Sequence, residues 1–273
     1  MMRSVLKYPG SKWNIARALV DLIPEHHSYV EPFFGSGAVL FNKPYSDIET
    51  INDLDSDITN LFRCMQTESE YLARLVMTTP FSREVYNDAF FPDNQDTESD
   101  MQKAVRFLVK CWQGHGFRTN QYKVGWKNDV VGRERSYALW NWYRLPEWII
   151  DIAERLRQVQ IENKPALEVI NRFNYANVFM YLDPPYLLQT RNGKQYKHEM
   201  SDQDHIEMLE AAVKSKAKIM ISGYDSDLYN DYLSSWTKFQ FNSCAEQGKS
   251  RIETVWCNYE TYNQMSMFDI GKF

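Results

Sequence analysis

The feature that most constrains the fold of this chain is a run of five apolar residues, Val178 to Leu182, followed directly by Asp183-Pro184-Pro185-Tyr186. An uninterrupted apolar run of this length is typical of a parallel strand that is buried on both faces of a sheet. Two prolines cannot continue a helix or a central strand, so the chain must turn there. Ligands of open α/β sheets bind beyond the carboxyl ends of the strands, which makes the tetrapeptide a candidate functional site.

The remainder of the chain alternates between strand-like and helix-like patterns. We predict strands over 28–30, 48–52, 159–162, 178–182, 219–222, 239–241 and 254–257. We predict helices over 12–23, 57–65, 68–77, 147–158 and 201–213, and a further helix that Pro165 opens at its favoured first position. Because strands alternate with helices, the predicted fold class is α/β, with a doubly wound Rossmann-like sheet.

The middle of the chain differs from the rest in charge and composition. Residues 46–100 carry 13 acidic and 3 basic side chains, whereas residues 101–145 carry 9 basic and 2 acidic ones. Five of the eight tryptophans lie between 112 and 148. A length of 273 residues is long for one domain and short for two. We therefore predict an α/β domain formed by 1–60 and 150–273, and a smaller, mainly helical lobe inserted at 61–149, with most of its tryptophans in its own core.

The net charge of −5 excludes a small basic arm or a histone-like protein, and by itself it argues against nucleic acid as a partner. Its uneven distribution changes that conclusion. Exposed charges act over a screening length of about 8–10 Å, so a partner senses the local field of a surface. The basic segment 101–145 therefore remains a candidate surface for DNA.

A glycine-rich turn follows the first predicted strand, in the segment Glu31-Pro32-Phe33-Phe34-Gly35-Ser36-Gly37. We predict that it opens a helix at Ala38, where free backbone amides would face a ligand. Asp53 ends the second strand, 18 residues after Gly35, the spacing at which an acid holds ribose hydroxyls in dinucleotide-binding folds. The alternative is a plain turn followed by a helix that Asp55 caps. The chain has no complete Gly-x-x-x-x-Gly-Lys-Ser/Thr motif of a phosphate-binding loop, since Gly248-Lys249-Ser250 lacks the first glycine.

Asp183-Pro184-Pro185-Tyr186 suits a planar base that carries an exocyclic amine. The Asp183 carboxylate and a proline carbonyl can accept the two amine hydrogens, and the tyrosine offers a flat face. Methylation of a ring carbon would instead need a cysteine nucleophile. Cys111 and Cys244 stand in no Pro-Cys context.

Leu6-Lys7-Tyr8-Pro9-Gly10-Ser11-Lys12 precedes the glycine-rich turn, Asn52-Asp53 and the Asp-Pro-Pro-Tyr motif. From about Leu6 to Tyr259, this series resembles the Dam-type family of DNA adenine methyltransferases, in the motif order of the alpha class. The resemblance implies an adenine-specific, site-specific DNA methyltransferase with a Rossmann-like fold. It also implies S-adenosyl-L-methionine as methyl donor, S-adenosyl-L-homocysteine as product, no metal, double-stranded DNA as partner and a flipped target base.

The resemblance also assigns residues to roles. The cofactor contacts that it implies are Tyr8, Lys12, Glu31, Pro32, Phe33, Gly35, Ser36, Gly37, Asp53 and Asp183. The catalytic residues that it implies are Asp183, Pro184, Pro185 and Tyr186, with Tyr186 stacked on the target base. Tyr8 stands where the family often has tryptophan, which keeps a flat face. Glu162 and Asn163 are candidate contacts to the cofactor's adenine, although the family often has an Asp-aromatic pair there.

Cations and amides of the basic segment are the candidates for DNA contact, because cations bind phosphates and amides read base edges. They are Arg118, Asn120, Lys123, Lys127, Arg133 and Arg135. A polar loop at 187–198 adds Arg191, Lys194 and Lys197, and we predict that this loop is mobile and becomes ordered over DNA.

No run of about 18 uncharged apolar residues occurs, and the N-terminal residues lack the apolar core of a signal peptide. The four cysteines form no CxxC pair and the five histidines no metal-binding pair. We predict a cytoplasmic protein without zinc that is a monomer or a weak dimer.

Two alternative functions are also compatible with the sequence. One is methylation of another planar amine, such as an amino group of RNA or a glutamine side chain. The other is a non-catalytic DNA-binding specificity subunit. The target DNA sequence, and membership of a restriction–modification pair, do not follow from the residues.

Overall fold

The computed structural model describes residues 2–91, 97–120, 122–128, 137–190, 193–244 and 250–261. Its centre is a sheet of seven strands in the order β3-β2-β1-β4-β5-β7-β6. The strands are β1 Ser28–Glu31, β2 Ile48–Asn52, β3 Val159–Glu162, β4 Val178–Leu182, β5 Lys218–Gly223, β6 Thr237–Cys244 and β7 Ser250–Cys257. The first five strands are parallel to one another, and β7 runs antiparallel to both β5 and β6. The predicted α/β class and doubly wound sheet are confirmed.

Helices cover both faces of this sheet. They are α1 Ala16–Asp21, α2 Ser56–Thr78, α3 Arg83–Asp88, α4 Asp100–Gln113, α5 Tyr137–Leu156, α6 Ala166–Arg172, α7 Asp202–Val213 and α8 Asp227–Tyr232. Buried residues of α2, α4 and α5 form one apolar cluster, and those of α6, α7 and α8 form another.

Strand β4 contributes side chains to both clusters in strict alternation. Phe179 and Tyr181 belong to the cluster of α2, α4 and α5, whereas Val178, Met180 and Leu182 belong to the other. All five side chains are buried, as predicted for a central parallel strand.

Two predicted helices near the N-terminus are wrong in extent or in type. The helix predicted over 12–23 begins only at Ala16, because Gly10 turns the backbone at φ +74° and Lys12 points its side chain back to the Gly10 carbonyl. At Ala38 no α-helix starts, and a short 3-10 turn at Leu40–Asn42 stands there instead. The Glu31 carboxylate accepts the Leu40 amide hydrogen, which fixes the chain as a turn.

Both helices predicted over 57–65 and 68–77 are present within α2, whose backbone leaves helical geometry between them at Glu68. Helix α5 starts ten residues before the predicted 147, and it includes Pro146 within its length. Packing compensates for the hydrogen bond that a proline removes from a helix. Helices α3, α4 and α8 have no counterpart with stated bounds in the sequence prediction.

Helices α2 and α5 each run across an end of the predicted lobe at 61–149. Trp112 and Trp142 are buried in the same apolar cluster as Phe179 of the sheet, and Trp126 and Trp148 pack against it. Most tryptophans therefore lie in a core as predicted, but that core is shared with the sheet. The division of the chain into two domains stays a prediction. Within the described residues, no helix has the length and apolar character needed to cross a bilayer.

Candidate active site

The site lies at the edge of the sheet where the parallel strands β1, β2 and β4 end. Glu31 ends β1, Asp53 follows β2, and Asp183 follows β4. All three side chains line one cavity of about 250 Å³. The residues that follow neighbouring parallel strands lie at the same edge of a sheet. Glu31 and Asp183 therefore line the same cavity although they are 152 positions apart.

Asp53 is held firmly in this cavity by backbone donors. Its carboxylate accepts hydrogen bonds from the amides of Gly35 and Asp55, each at 2.9 Å. Its backbone carbonyl accepts a hydrogen bond of 2.7 Å from the side-chain amide of Asn163. Burial raises the pKa of the Asp53 carboxyl to about 7, although the amide hydrogen bonds oppose the rise. Asp55 accepts from the amide of Asp57 and so caps α2.

The glycine-rich turn faces the N-terminal motif across the cavity. Gly35 has φ +50°, and a Cβ atom there would lie 3.1 Å from the ring of Tyr8. The hydroxyls of Ser36 and Ser11 are 2.9 Å apart and hydrogen-bonded. The hydrogen bond between the serines joins the glycine-rich turn to the N-terminal motif. Glycine is required at position 35 because the backbone there contacts the Tyr8 ring and has a positive φ.

Glu31 is fully buried and also lies on the cavity wall. Its carboxylate accepts hydrogen bonds from the Tyr29 hydroxyl and the Leu40 amide. Burial raises the pKa of Glu31 to about 8, and these hydrogen bonds oppose the rise. Glu31 thus fixes the backbone that follows the glycine-rich turn, through its hydrogen bond with the Leu40 amide.

Lys12 and Asp183 form a buried ion pair at the mouth of the Asp-Pro-Pro-Tyr motif. Lys12 Nζ lies 2.8 Å from Oδ1 and 2.9 Å from Oδ2 of Asp183, and it also donates to the Gly10 carbonyl at 2.6 Å. Burial alone lowers the pKa of Lys12, but the charges of Asp183 and Glu253 outweigh that effect and hold it above its ordinary value. Burial raises the pKa of Asp183, and Lys12 opposes the rise.

Tyr186 is a buried ring beside this ion pair. Its hydroxyl donates a hydrogen bond to the Glu253 carboxylate of β7. The ring of Tyr224 packs edge-on against it, with centroids 4.5 Å apart, and Lys12 Nζ lies 4.8 Å from its centroid. The Tyr186 ring is therefore held by partners from three other segments of the chain, and its stacking on a target base stays a prediction.

The structure brings together most of the residues that were predicted to bind the cofactor or to act in catalysis. Those that line the cavity are Tyr8, Lys12, Glu31, Pro32, Phe33, Gly35, Ser36, Asp53, Asp183 and Pro185. Those outside the lining are Gly37, Glu162, Asn163, Pro184 and Tyr186. The side chain of Glu162 pairs with Arg172 at 3.0 Å, and Asn163 supports the loop of Asp53.

Several lining residues are absent from the predicted cofactor contacts. They include Ser11, Leu54, Pro165, Ala166, Leu167 and Thr119, and the segment Tyr196 to Met200. Pro165 to Leu167 follow β3 and open α6 at the position where Glu162 and Asn163 are predicted to act. Pro165 was the available signal, since it marks a helix start at the carboxyl edge of the sheet.

Residues 193–200 form a cover on the cavity, which we call the roof segment. Tyr196 donates to the Pro9 carbonyl, and Lys197 Nζ binds Asp55 at 3.1 Å and Asp57 at 3.2 Å. The backbone amide of Thr119 donates to the Gln195 carbonyl at 3.0 Å. The roof segment is thus tied to the N-terminal motif, to the start of α2 and to residue 119. The mobility predicted for this loop stays a prediction.

The predicted DNA contacts have varied surroundings. Arg118 is exposed and lies over the ring of Tyr122, whereas Asn120 donates its amide to the Lys194 carbonyl at 2.8 Å. Lys123 is exposed beside Phe90 and Phe91, and the Lys127 backbone amide donates to Gln113. Lys194 and Lys197 are both exposed residues of the roof segment, and the Lys197 ammonium pairs with Asp55 and Asp57. Arg133, Arg135 and Arg191 lie outside the described residues.

Three acids meet at the cavity edge, yet no group of three or more His, Cys, Asp or Glu residues in the described part of the chain is arranged to hold a metal ion. The sheet has five parallel strands and a reversed last hairpin, and its cavity is lined in part by Asp183 and Pro185 of the Asp-Pro-Pro-Tyr motif. Fold and site together define the class of Rossmann-like methyltransferases.

The model of one family, described as D12 class N6 adenine-specific DNA methyltransferase, matches residues 8–250. The chain belongs to this family, and it is a DNA N6-adenine methyltransferase. The resemblance noted in the sequence is therefore confirmed. Use of S-adenosylmethionine follows from the family. The family assignment favours adenine in DNA over RNA or glutamine as the substrate.

Relatives span most of this chain. A DNA adenine methylase of Serratia marcescens is 25% identical over 245 residues, which cover 84% of this chain and 86% of the relative. The type II methyltransferase M1.LlaDCHI of Lactococcus lactis subsp. cremoris is 27% identical over 252 residues, covering 85% and 86%. A DNA adenine methylase of Escherichia coli K12 is 25% identical over 244 residues, with 84% of each chain covered.

Proposed function

We propose that this chain methylates adenine within a short sequence of duplex DNA, with S-adenosylmethionine in the cavity beside Asp53 and the target base flipped out against Tyr186. One observation carries the proposal. Asp183 is at once part of the cavity wall and the first residue of the Asp-Pro-Pro-Tyr motif. The methyl donor and the acceptor amine would therefore meet at a single carboxylate.

The residues of the cavity fit the cofactor chemically. Asp53 is a carboxylate fixed by two amides, and it can accept hydrogen bonds from two ribose hydroxyls. At Gly35 the backbone comes so close to the Tyr8 ring that a side chain would fill the space. Tyr8 and Tyr196, with centroids 5.7 Å apart, present aromatic surface to a positively charged sulfonium.

When bound, S-adenosylmethionine supplies a methyl group that is already activated for transfer. The protein's contribution is then to position the acceptor. The Asp183 carboxylate and the Pro184 carbonyl accept hydrogen bonds from the two N–H groups of the 6-amino group. These hydrogen bonds draw the lone pair of the amine nitrogen out of conjugation with the ring. Tyr186 holds the plane of the base, and the roof segment excludes water. Direct transfer needs no covalent enzyme intermediate.

The basic residues of 101–145 support the DNA side of the proposal. Arg118 and Lys123 are exposed in the described part of that segment, where they can contact phosphates. Asn120 is tied to the roof segment through Lys194, so DNA contact and closure over the cofactor meet in one place. Removing the target base from the stack costs a few kcal/mol, which these contacts must supply.

We further propose a monomer or weak dimer that acts in the cytoplasm. Buried free thiols at Cys64, Cys111 and Cys257 support a reducing compartment. Relatives carry the names of DNA adenine methylases and of type II methyltransferases. A partner restriction enzyme and a solitary role therefore both remain open for this chain.

Methyl transfer by an isosteric variant tests the proposed site. Purified protein is incubated with tritium-labelled S-adenosylmethionine and unmethylated plasmid DNA, and Asp183→Asn is compared with wild type. We expect the label to enter DNA and no stable label on the protein. The variant should lose about 100-fold or more in single-turnover rate, while S-adenosylhomocysteine still binds within about tenfold. A rate near that of wild type in the variant would refute the site.

A further inference from the structure

A buried carboxylate outside the predicted motifs lies against the catalytic residues. Glu253 is the fourth residue of β7 and is only 4% exposed. Strand β7 is antiparallel to β5 and pairs Thr254 with Gly223, the last residue of β5. Glu253 therefore stands just beyond the carboxyl end of β5, at the same edge as Asp183.

Glu253 has two partners, and both belong to the active site. The Tyr186 hydroxyl donates to its carboxylate, and Lys12 Nζ lies 3.6 Å from its Oε1. A carboxylate buried in this way is costly unless charges and hydrogen bonds compensate it. An apolar side chain at this position would pack more favourably in β7. The contacts with Tyr186 and Lys12 therefore explain why a glutamate stands at position 253.

We propose that Glu253 is a positioning residue for methyl transfer. It fixes the ring of Tyr186 through the hydroxyl, and it receives Lys12 when Asp183 engages the target amine. This inference rests on the proposed function, since it requires the target base to occupy the space between Asp183 and Tyr186.

The ion pair explains why Lys12 needs a second acceptor. Lys12 Nζ is within 2.9 Å of both Asp183 oxygens, so it competes with an incoming amine for that carboxylate. A shift of about 0.8 Å would bring Nζ from 3.6 Å to normal charge-assisted hydrogen-bond distance from Glu253. Lys12 thus has two carboxylates within reach, the partly exposed Asp183 and the buried Glu253, and can stay paired while Asp183 turns to the base.

The hydrogen bond to Tyr186 explains the orientation of the ring. Tyr224 packs edge-on at 4.5 Å, and Lys12 Nζ lies 4.8 Å from the ring centroid. With its hydroxyl anchored on Glu253, the ring is restrained at its far end as well. Because the Tyr186 side chain is already oriented, it loses less conformational entropy when a flipped base stacks on its ring.

Glu253→Gln separates the two roles. The glutamine oxygen still accepts the Tyr186 hydroxyl, but the side chain no longer offers Lys12 a charge. We expect the single-turnover rate on unmethylated plasmid DNA to fall about 10- to 100-fold, which is less than for a group that contacts the reacting atoms. The KM for DNA and the affinity for S-adenosylhomocysteine should change less than about threefold.

The pH profile distinguishes positioning from mere structural support. Without the Glu253 charge, Lys12 pairs only with Asp183, which lowers the pKa of Asp183 and moves the acid limb of the rate profile to lower pH. Thr254→Val on the same strand is the control, since its buried hydroxyl has no partner among the described residues. It should retain the wild-type rate and profile.

A double variant completes the test. The rate loss of Glu253→Gln should persist in Tyr186→Phe, because it acts through Lys12. A loss that disappears in Tyr186→Phe, or a wild-type rate and acid limb in Glu253→Gln, would overturn the assignment of Glu253. Failure of the wild-type protein to methylate DNA would instead refute the proposed function, so the two outcomes are distinguishable.

Discussion

Lys12 Nζ bonds both carboxylate oxygens of Asp183, at 2.8 and 2.9 Å, although the residues are 171 positions apart. The pair joins the N-terminal motif to the end of the central strand β4. The acceptor that we propose for the target amine is therefore paired with a cation. We therefore expect access of the base to Asp183 to depend on how readily Lys12 moves.

Lys12→Met should shift the pH dependence of methyl transfer. The variant removes the cation that opposes the rise in the pKa of Asp183, so that pKa increases further. Because Asp183 accepts hydrogen bonds best as a carboxylate, we expect the acid limb to move up by about one pH unit or more. Single-turnover rates between pH 5.5 and 9 measure the shift. Arg17→Met, an exposed cation on α1, should leave the profile unchanged, and an unmoved limb in Lys12→Met would contradict this role.

Binding of S-adenosylhomocysteine should weaken as the pH falls below 7. Burial raises the pKa of Asp53 to about 7, so the free protein takes up a proton there at lower pH. Ribose hydroxyls that donate hydrogen bonds favour the ionised carboxylate. The affinity should therefore fall by up to about tenfold per pH unit below that pKa, and binding should release a proton.

Calorimetry in two buffers of different ionisation enthalpy measures this proton release. Asp53→Asn should bind more weakly and lose the proton release near pH 7. Glu162→Gln is the control, since that carboxylate pairs with Arg172 outside the cavity. Wild-type affinity that is constant from pH 5.5 to 8 would exclude Asp53 as the ribose ligand.

Lys194 and Lys197 should have different effects although they are three residues apart. Lys197 ties the roof segment to Asp55 and Asp57, so Lys197→Ala should weaken S-adenosylhomocysteine binding about tenfold. Lys194 is exposed, and Lys194→Ala should instead reduce the slope of log affinity for DNA against log salt by about 1. Fluorescence anisotropy at several salt concentrations measures the slope. The reverse pattern would show that Lys197 is the phosphate contact.

Glu49→Gln should destabilise the fold without involving the active site. Its carboxylate binds Arg155 at 2.5 and 2.8 Å and Lys43 at 2.5 Å, and all three side chains are buried. Removing the charge leaves two buried cations without their counter-ion, at a cost of about 3–5 kcal/mol in free energy of unfolding. Arg157→Ala breaks an exposed pair and should cost at most about 1 kcal/mol. Urea unfolding at pH 7 measures the free energy of unfolding of both variants. An equal decrease in the two variants would show that the buried charge of Glu49 contributes no more than an exposed ion pair.

Features that depend on neighbours in the sequence were predictable. The apolar strand β4 and the acid that follows it fix the centre of the sheet and one wall of the site. The spacing of Gly35 and Asp53 assigned both residues to one predicted site, and in the structure the Gly35 amide donates to the Asp53 carboxylate.

Features that depend on distant partners were not predictable. The absent helix at Ala38 results from capture of the Leu40 amide by Glu31, which only the folded chain brings together. Glu253 is one acid in a strand, and its partner Tyr186 is 67 residues away. Lys197 is one of several cations in a polar loop, and its sequence context does not reveal that it binds Asp55.

The most direct test of the central claim is to sequence DNA that the protein has modified. Unmethylated genomic DNA is incubated with S-adenosylmethionine and either wild-type protein or Asp183→Ala, and modified bases are then located by single-molecule sequencing. We predict N6-methyladenine at one recurrent short sequence with the wild-type protein and none with the variant. Absence of modified adenine from every recurrent sequence, or equal modification by the variant, would contradict methylation of adenine at Asp183.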